Sequence, residues 1–308
     1  MSKKRLFLLL FLLLPIAAIL IPKTLSSAAL TSASVTLSNS RLSYYAKVSG
    51  AHSIADTTIL IQGSSNADNN TNHLFPNDTV SIGSNANSTV GSIIDGTNFA
   101  IATGITNQLA NGDAVYATQS GTVTIAFTLN NDIPANGYIR VTIPDPASGG
   151  NDGAPDTAAT AAANGWDLNS IAAADVTVSG GTGCSWNATE TITAGSGSGH
   201  TIDATTTGAC TAGTITMTID SSPGLINPAP VTSGHTQGTA VTYQWTIGTY
   251  DGDPAGAGQQ IDTVDVSVSP IEAVLVSATI DETLSFSVTA VTADSGTTGT
   301  CGITRTAS

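Results

Sequence analysis

Basic residues are nearly missing from this sequence: Lys and Arg number 8 in 308, against 22 Asp and Glu. Four of the eight, Lys3, Lys4, Arg5 and Lys23, precede residue 24. A chain without that leader keeps four basic residues against 22 acidic ones, a net of −18. Such a surface excludes nucleic acid and anionic lipid as partners, because both are bound by Lys and Arg displacing counterions. It collects cations instead. Charged residues of either sign make up only 10% of the chain, far below the usual quarter. The solvated surface is therefore made of Thr, Ser, Asn, Gly and Ala, which suits twisted sheets and polar loops better than helices rich in Glu and Lys. Core material is not short. Hydrophobic residues reach 41%, and the length allows one large or two ordinary domains.

Catalytic signatures are missing too. No G-x-S-x-G occurs; the nearest run, Gly195-Ser196-Gly197-Ser198-Gly199-His200, has the wrong spacing and reads as a flexible loop. His200 beside those serines is the one candidate base, with no orienting carboxylate implied. His52, His73 and His235 are isolated and without H-x-x-x-H spacing, which argues against zinc. No Gly-rich phosphate loop follows a strand and opens a helix. The sequence gives no reason to expect an enzyme.

Only three cysteines are present, Cys184, Cys210 and Cys301. Their spacing fits neither a zinc site nor a redox pair. Cys184 and Cys210 are the natural disulfide and Cys301 is the odd one. Disulfides persist in exported proteins, and the N-terminus points the same way. Lys3, Lys4 and Arg5 precede an apolar run from Leu6 to Ile21, followed by small residues at Ser26 and Ala28, or Ser27 and Ala29. That is the pattern of a signal peptide over 1–28. As a helix the run spans roughly 24 Å, short of a hydrocarbon core of roughly 30 Å, and Pro15 interrupts it. The alternative is an uncleaved anchor. Either way the membrane enters only through the export signal, and the expected location is extracellular, at the cell surface.

What the sequence does have is period-two alternation. Val123, Ile125, Phe127 and Leu129 share one face of 121–129, with Thr between them. Ile139, Val141 and Ile143 follow after a turn at Asn130-Asn131-Asp132-Ile133-Pro134. The pattern returns at Ile215, Met217 and Ile219, at Val241, Tyr243, Trp245 and Ile247, and at Val264, Val266 and Val268. One apolar face per strand predicts antiparallel sheets stacked as a sandwich. Each inward side chain contributes roughly 1.5–3 kcal/mol when fully buried. The only helical candidate is Asp156–Ala163, short and set in a loop. The stretch 63–87, dominated by Asn, Ser, Asp and Gly, reads as a long polar loop or weakly structured insertion. Pro223 to Pro230 reads as a turn or edge connection.

The order of these segments resembles a module of uncharacterised bacterial cell-surface and S-layer-like proteins. The residues that carry the likeness are 121–129, Asp132-Ile133-Pro134-Ala135, Ile139–Pro144, Val176-Thr177-Val178-Ser179-Gly180, Asn227-Pro228 and Tyr243–Val268. They cover about half the chain. The resemblance implies an all-β, antiparallel immunoglobulin-like β-sandwich with a scaffold or adhesive role, contacting other surface proteins, copies of itself or glycans. The sandwich is expected over 29–270. Alternation resumes at Val274–Val291, predicting the start of a second, incomplete β module from 271 to 308; the alternative is edge strands added to the first sandwich.

Two acidic loops are the candidates for a cofactor, calcium. In Asp251–Asp262, Asp251, Asp253, Gln259 and Asp262 stand at positions 1, 3, 9 and 12 of a twelve-residue calcium loop, with Gly256 at the turn. Ala255 fails position 5, and an acidic turn between strands is the plainer reading. The second loop carries Asp145, Asn151, Asp152 and Asp156. Trp166, Trp186 and Trp245 read as core before carbohydrate platforms. Asn69, Asn77, Asn87 and Asn187 each begin an Asn-x-Ser/Thr sequon. The leading function is an exported structural or adhesive surface protein; the alternatives are a carbohydrate-binding module with calcium-organised loops, and a secreted hydrolase with a scattered triad.

Overall fold

A computed structural model describes residues 28–272, apart from 64–66, 146–148, 159–162, 188–189, 196, 198, 212, 231–239 and 257. The signal peptide, most of the short helical candidate, Val274–Val291 and Cys301 lie outside the described residues. The described chain is all-β, its only helical elements being 3₁₀ turns at Thr71–His73 and Ala173–Asp175.

Strands β1 (Ala28–Ala29) and β2 (Thr31–Leu37) come first. Six strands then close into a small barrel in the order β3-β4-β7-β6-β5-β8: β3 (Tyr44–Val48), β4 (Thr58–Gln62), β5 (Thr79–Ile82), β6 (Asn85–Ile93), β7 (Asn98–Ile101) and β8 (Ala114–Ala117). The remaining strands are β9 (Ser120–Gly121), β10 (Val123–Thr128), β11 (Tyr138–Ile143), β12 (Val176–Gly180), β13 (Thr191–Thr193), β14 (His200–Thr205), β15 (Thr214–Ile219), β16 (Leu225–Ile226), β17 (Tyr243–Tyr250) and β18 (Gln260–Val268). With β1 and β2 they form a six-stranded sheet, β1-β18-β17-β11-β14-β13, and a four-stranded sheet, β12-β15-β10-β2, while β9 and β16 pair only with each other. All pairings in the two sheets are antiparallel except the two-residue β1–β18 contact.

The two sheets bury one core between them. Ile125, Phe127, Ile215 and Met217 from the smaller sheet meet Ile139, Val141, Ile202, Trp245 and Ile247 from the larger. Trp166 lies at 0% exposure and meets Trp245 edge-on at 5.0 Å, so both indoles are core. Among the described residues, the strands appear where alternation places them.

The stretch 63–87 is not a loop. It contributes β5, the start of β6 and a 3₁₀ turn to the barrel, whose separate core holds Val80, Ile82, Val90, Phe99, Ile101 and Val115. β5 turns only Val80 and Ile82 inward and the start of β6 only Asn85, so alternation does not accumulate there. Polar side chains also build it. Asn85, buried, accepts from the N–H groups of Thr106 and Asn107 at 2.9 and 2.8 Å and donates to the Asn107 carbonyl at 2.9 Å, tying a loop across the barrel.

The barrel leaves and rejoins the sandwich at one point. Leu37 and Val123 are cross-strand partners. The Ser43 hydroxyl accepts from the Gln119 N–H at 2.9 Å, and Ser43 N donates to Pro228 O at 3.0 Å. Asn227 locks this neck: its amide donates to the Asn39 and Arg41 carbonyls at 2.9 and 2.7 Å and accepts from the Trp166 indole at 3.2 Å. Ile271, the first residue expected of a second module, is also here, bonded through its backbone to Ser40 and Leu42.

Candidate functional site

Two features that the sequence leaves apart, the acidic loop after β11 and His200, meet at one end of the sandwich. His200 is not in a loop: it opens β14, paired with Ile143, and is fully buried. Its Nδ1 accepts from the Gly195 N–H at 3.0 Å, so that nitrogen carries no proton; its Nε2 donates to the Trp166 carbonyl at 2.9 Å. The ring is thereby fixed as the neutral Nε2–H tautomer. Asp145 Oδ1 lies 3.4 Å from Nε2, while Oδ2 accepts from the Gly197 N–H at 3.1 Å. Gly150 packs its backbone onto this pair. A Cβ there would come within 2.8 Å of His200 Nε2, which explains the glycine. With both ring nitrogens committed, His200 positions backbone.

The other carboxylates lie just beyond. Asp167, at 0% exposure, accepts backbone N–H bonds from Asp152, Gly153 and Asn169 at 2.7, 3.2 and 2.6 Å. Burial raises its pKa, those three bonds oppose the rise, and the charge of Asp152 adds to it. Asp152 Oδ1 caps Ala154 N at 2.9 Å and Asn151 Oδ1 takes Ser170 N at 2.7 Å. Asp156 is 6% exposed and its Oδ2 makes no hydrogen bond among the described residues. Burial, then the charges of Asp167, Asp152 and Asp145, push its pKa to about 8. At neutral pH Asp156 is therefore mostly a carboxylic acid. The arrangement stores a proton. Among the described residues no three acidic, His or Cys side chains converge to hold a metal ion.

The Asp251–Asp262 loop connects β17 to β18. Asp251 Oδ1 accepts from Gln259 N at 2.6 Å and Asp253 Oδ1 from Ala255 N at 2.8 Å, the bonds of a self-closing turn. Asp262, fully buried, directs both oxygens to Asn131, at 2.9 Å to its N–H and 2.7 Å to its amide. Of the four calcium candidates, the structure thus brings Asp251 to Gln259 and commits Asp262 elsewhere. Cys184 and Cys210 are joined in a disulfide, and Trp186 nearby donates its indole N–H to Gly180 O at 3.1 Å.

A second polar cluster, unmarked in the sequence, lies where the barrel meets the neck. Arg41 forks onto both oxygens of Asp78 at 2.7 and 2.6 Å, with its guanidinium 4.3 Å from the Phe75 ring centre. Buried His73 bonds buried Asp68 through Nδ1. Burial alone would lower the His73 pKa; the bond to Asp68 and the charges of Asp68 and Glu272 outweigh it, and the pKa is raised. Burial pushes Glu272 up to about 7, with His73 and Arg41 opposing the rise and Asp68 adding to it. Sequence gives no warning of this cluster because its members are 41, 68, 73, 78 and 272.

Fold and site together define an all-β protein of two cores with buried acids in both parts. No family model, curated protein or solved structure matches this chain.

Proposed function

We propose that this chain is an exported structural or adhesive component of a cell surface, S-layer-like in role, with the sandwich as its immunoglobulin-like unit. The observation that carries the reading is the chemistry of the outward sheet faces. Cross-strand registers align Thr36, Thr124, Thr218 and Thr177 in one row over the four-stranded sheet. Thr246, Thr142, Thr201 and Thr193 form a matching row over the other. None of the eight is buried. Neighbouring strands stand about 4.8 Å apart, so each row offers a regular line of hydroxyl and methyl groups. Such a face suits lateral contact with another copy, a neighbouring surface protein or a neutral polysaccharide, and needs no charge on the partner.

The apolar run after Lys3, Lys4 and Arg5 supplies the route out of the cell. Leu30 is 3% exposed in the sandwich core, so a mature chain that keeps its core starts at or before that residue. The carbohydrate-platform alternative loses two of its aromatics, since Trp166 and Trp245 are fully buried. Protease shaving of intact producing cells, followed by fractionation, tests the proposal. Loss of the protein from the envelope fraction is the expected result; protein confined to the cytosol with Met1 to Lys23 retained would overturn it.

A further inference from the structure

Three sequons lie on the barrel, and two of them present both groups that glycosyl transfer requires, a free asparagine amide and an accessible hydroxyl two residues on. Asn77 sits at the third position of the Phe75-Pro76-Asn77-Asp78 turn, closed by Asp78 N donating to Phe75 O at 3.0 Å. Its φ of +75° after a proline is the type II pattern. Asn87, with φ +57°, lies opposite the register break between Val80 and Ile82, the left-handed position of a bulge. Both side chains are exposed and neither amide makes a hydrogen bond among the described residues. Asn39, Asn85, Asn98, Asn164, Asn169 and Asn227 all spend theirs on the protein.

The hydroxyls complete the pattern. Thr79 and Thr89 are exposed and are cross-strand partners on β5 and β6, so both sequons open on one face of one hairpin. Asp78, between Asn77 and Thr79, turns its carboxylate onto Arg41 and the Phe75 N–H and leaves the surface clear. The third sequon fails this test: Thr71 is fully buried and its hydroxyl donates to Asp95 O. At Asn187 the hydroxyl residue, Thr189, is outside the described residues.

We propose that Asn77 and Asn87 are sites of N-linked glycosylation, an inference that rests on the export reading. The donor is an oligosaccharide carried on a polyprenyl phosphate or pyrophosphate. Asparagine Nδ2 attacks the anomeric carbon, a C–N bond forms, and the bond from that carbon to the phosphate oxygen breaks. The lipid phosphate leaves and one amide proton passes to a base of the transferase; nothing is oxidised or reduced.

Peptide mapping with fragmentation that preserves sugars, on full-length protein purified from the cells that make it, is the test. Peptides containing Asn77 and Asn87 are expected to carry saccharide mass. Asn77→Gln and Asn87→Gln should each lower the intact mass by one oligosaccharide. Thr79→Ala and Thr89→Ala should do the same with the asparagines intact, separating sugar loss from any effect on the turn. Bare Asn77 and Asn87 overturn the proposal. The N-terminal peptide of the same map reports on export independently: bare asparagines on a processed chain remove glycosylation alone, and bare asparagines on a chain starting at Met1 remove both.

Discussion

At the scale of single residues, the charges that matter here are inside. Asp156, raised from an ordinary carboxyl value of 3.8 to about 8, takes up a proton on folding anywhere between those limits. The folded chain then binds more protons than the unfolded one, so this group costs stability progressively as pH rises from about 4 to 8. Asp156→Asn, which imitates the protonated acid, should be near neutral at pH 4 and stabilising by roughly 2–5 kcal/mol at pH 8. Urea denaturation at the two pH values measures it; an equal shift at both would sink the explanation. Asn227 is the opposite case, a neutral side chain making three bonds at the neck. Asn227→Ala leaves the Trp166 indole and two carbonyls without a partner and should cost about 3 kcal/mol. The sequence shows Asn227-Pro228 as a turn and no more, because nothing local tells that its amide reaches residues 39 and 41. His200 is likewise opaque: Gly and Ser around it look like slack chain, yet Gly195 donates its N–H to the buried ring and a Cβ on Gly195 would run into the Gly199 carbonyl.

At the scale of elements, legibility followed strand geometry. β10, β11, β15 and β17 each turn three or more apolar residues onto one core, and alternation finds them. β5 has only four residues, and its outward positions and the start of β6 carry Asn, Ser and Thr, so both read as a polar loop. The candidate site was half legible: the acidic loop stands out in sequence, its partner His200 does not. The neck gives the element-scale prediction. Because Ser43 Oγ and Gln119 N are 2.9 Å apart, replacing 44–118 by a short Gly-Ser linker should leave the sandwich folded with its disulfide intact. Near-ultraviolet circular dichroism of the two core indoles is the readout. Loss of that signal would mean the sandwich needs the barrel to fold. Removing the disulfide itself, by Cys184→Ser with Cys210→Ser, should lower stability by roughly 3 kcal/mol, the chain entropy of a loop this size.

At the scale of the whole molecule, the titrations of His73, Glu272 and Asp156 share a sign. His73, raised by Asp68 and Glu272, contributes stability that is present below its unfolded value of 6.5 and is lost as pH climbs through the folded value. Glu272, raised to about 7, favours the folded state less and less between about 4.5 and 7. Asp156 adds its own loss, and the excess of acidic residues adds repulsion. The protein should therefore be most stable on the acid side, near pH 5, and weaken toward pH 8, and Glu272→Gln should flatten part of that slope. A melting temperature that rises steadily from pH 5 to 8 would contradict the assignment. The neck has one more consequence, a mechanical one. Tension applied at the flanks, near residues 28 and 272, loads the parallel β1–β18 contact and the bonds from Ile271 to Ser40 and Leu42. While those bonds and the Leu37–Val123 pair hold, the barrel is off the line of force. Once they part, force reaches the barrel, and the roughly 75 residues between Ser43 and Gln119 pay out only as its separate core gives way, adding about 250 Å at 3.3–3.6 Å per extended residue, so a stretched copy would yield in two steps, the seam at the neck first and the barrel second.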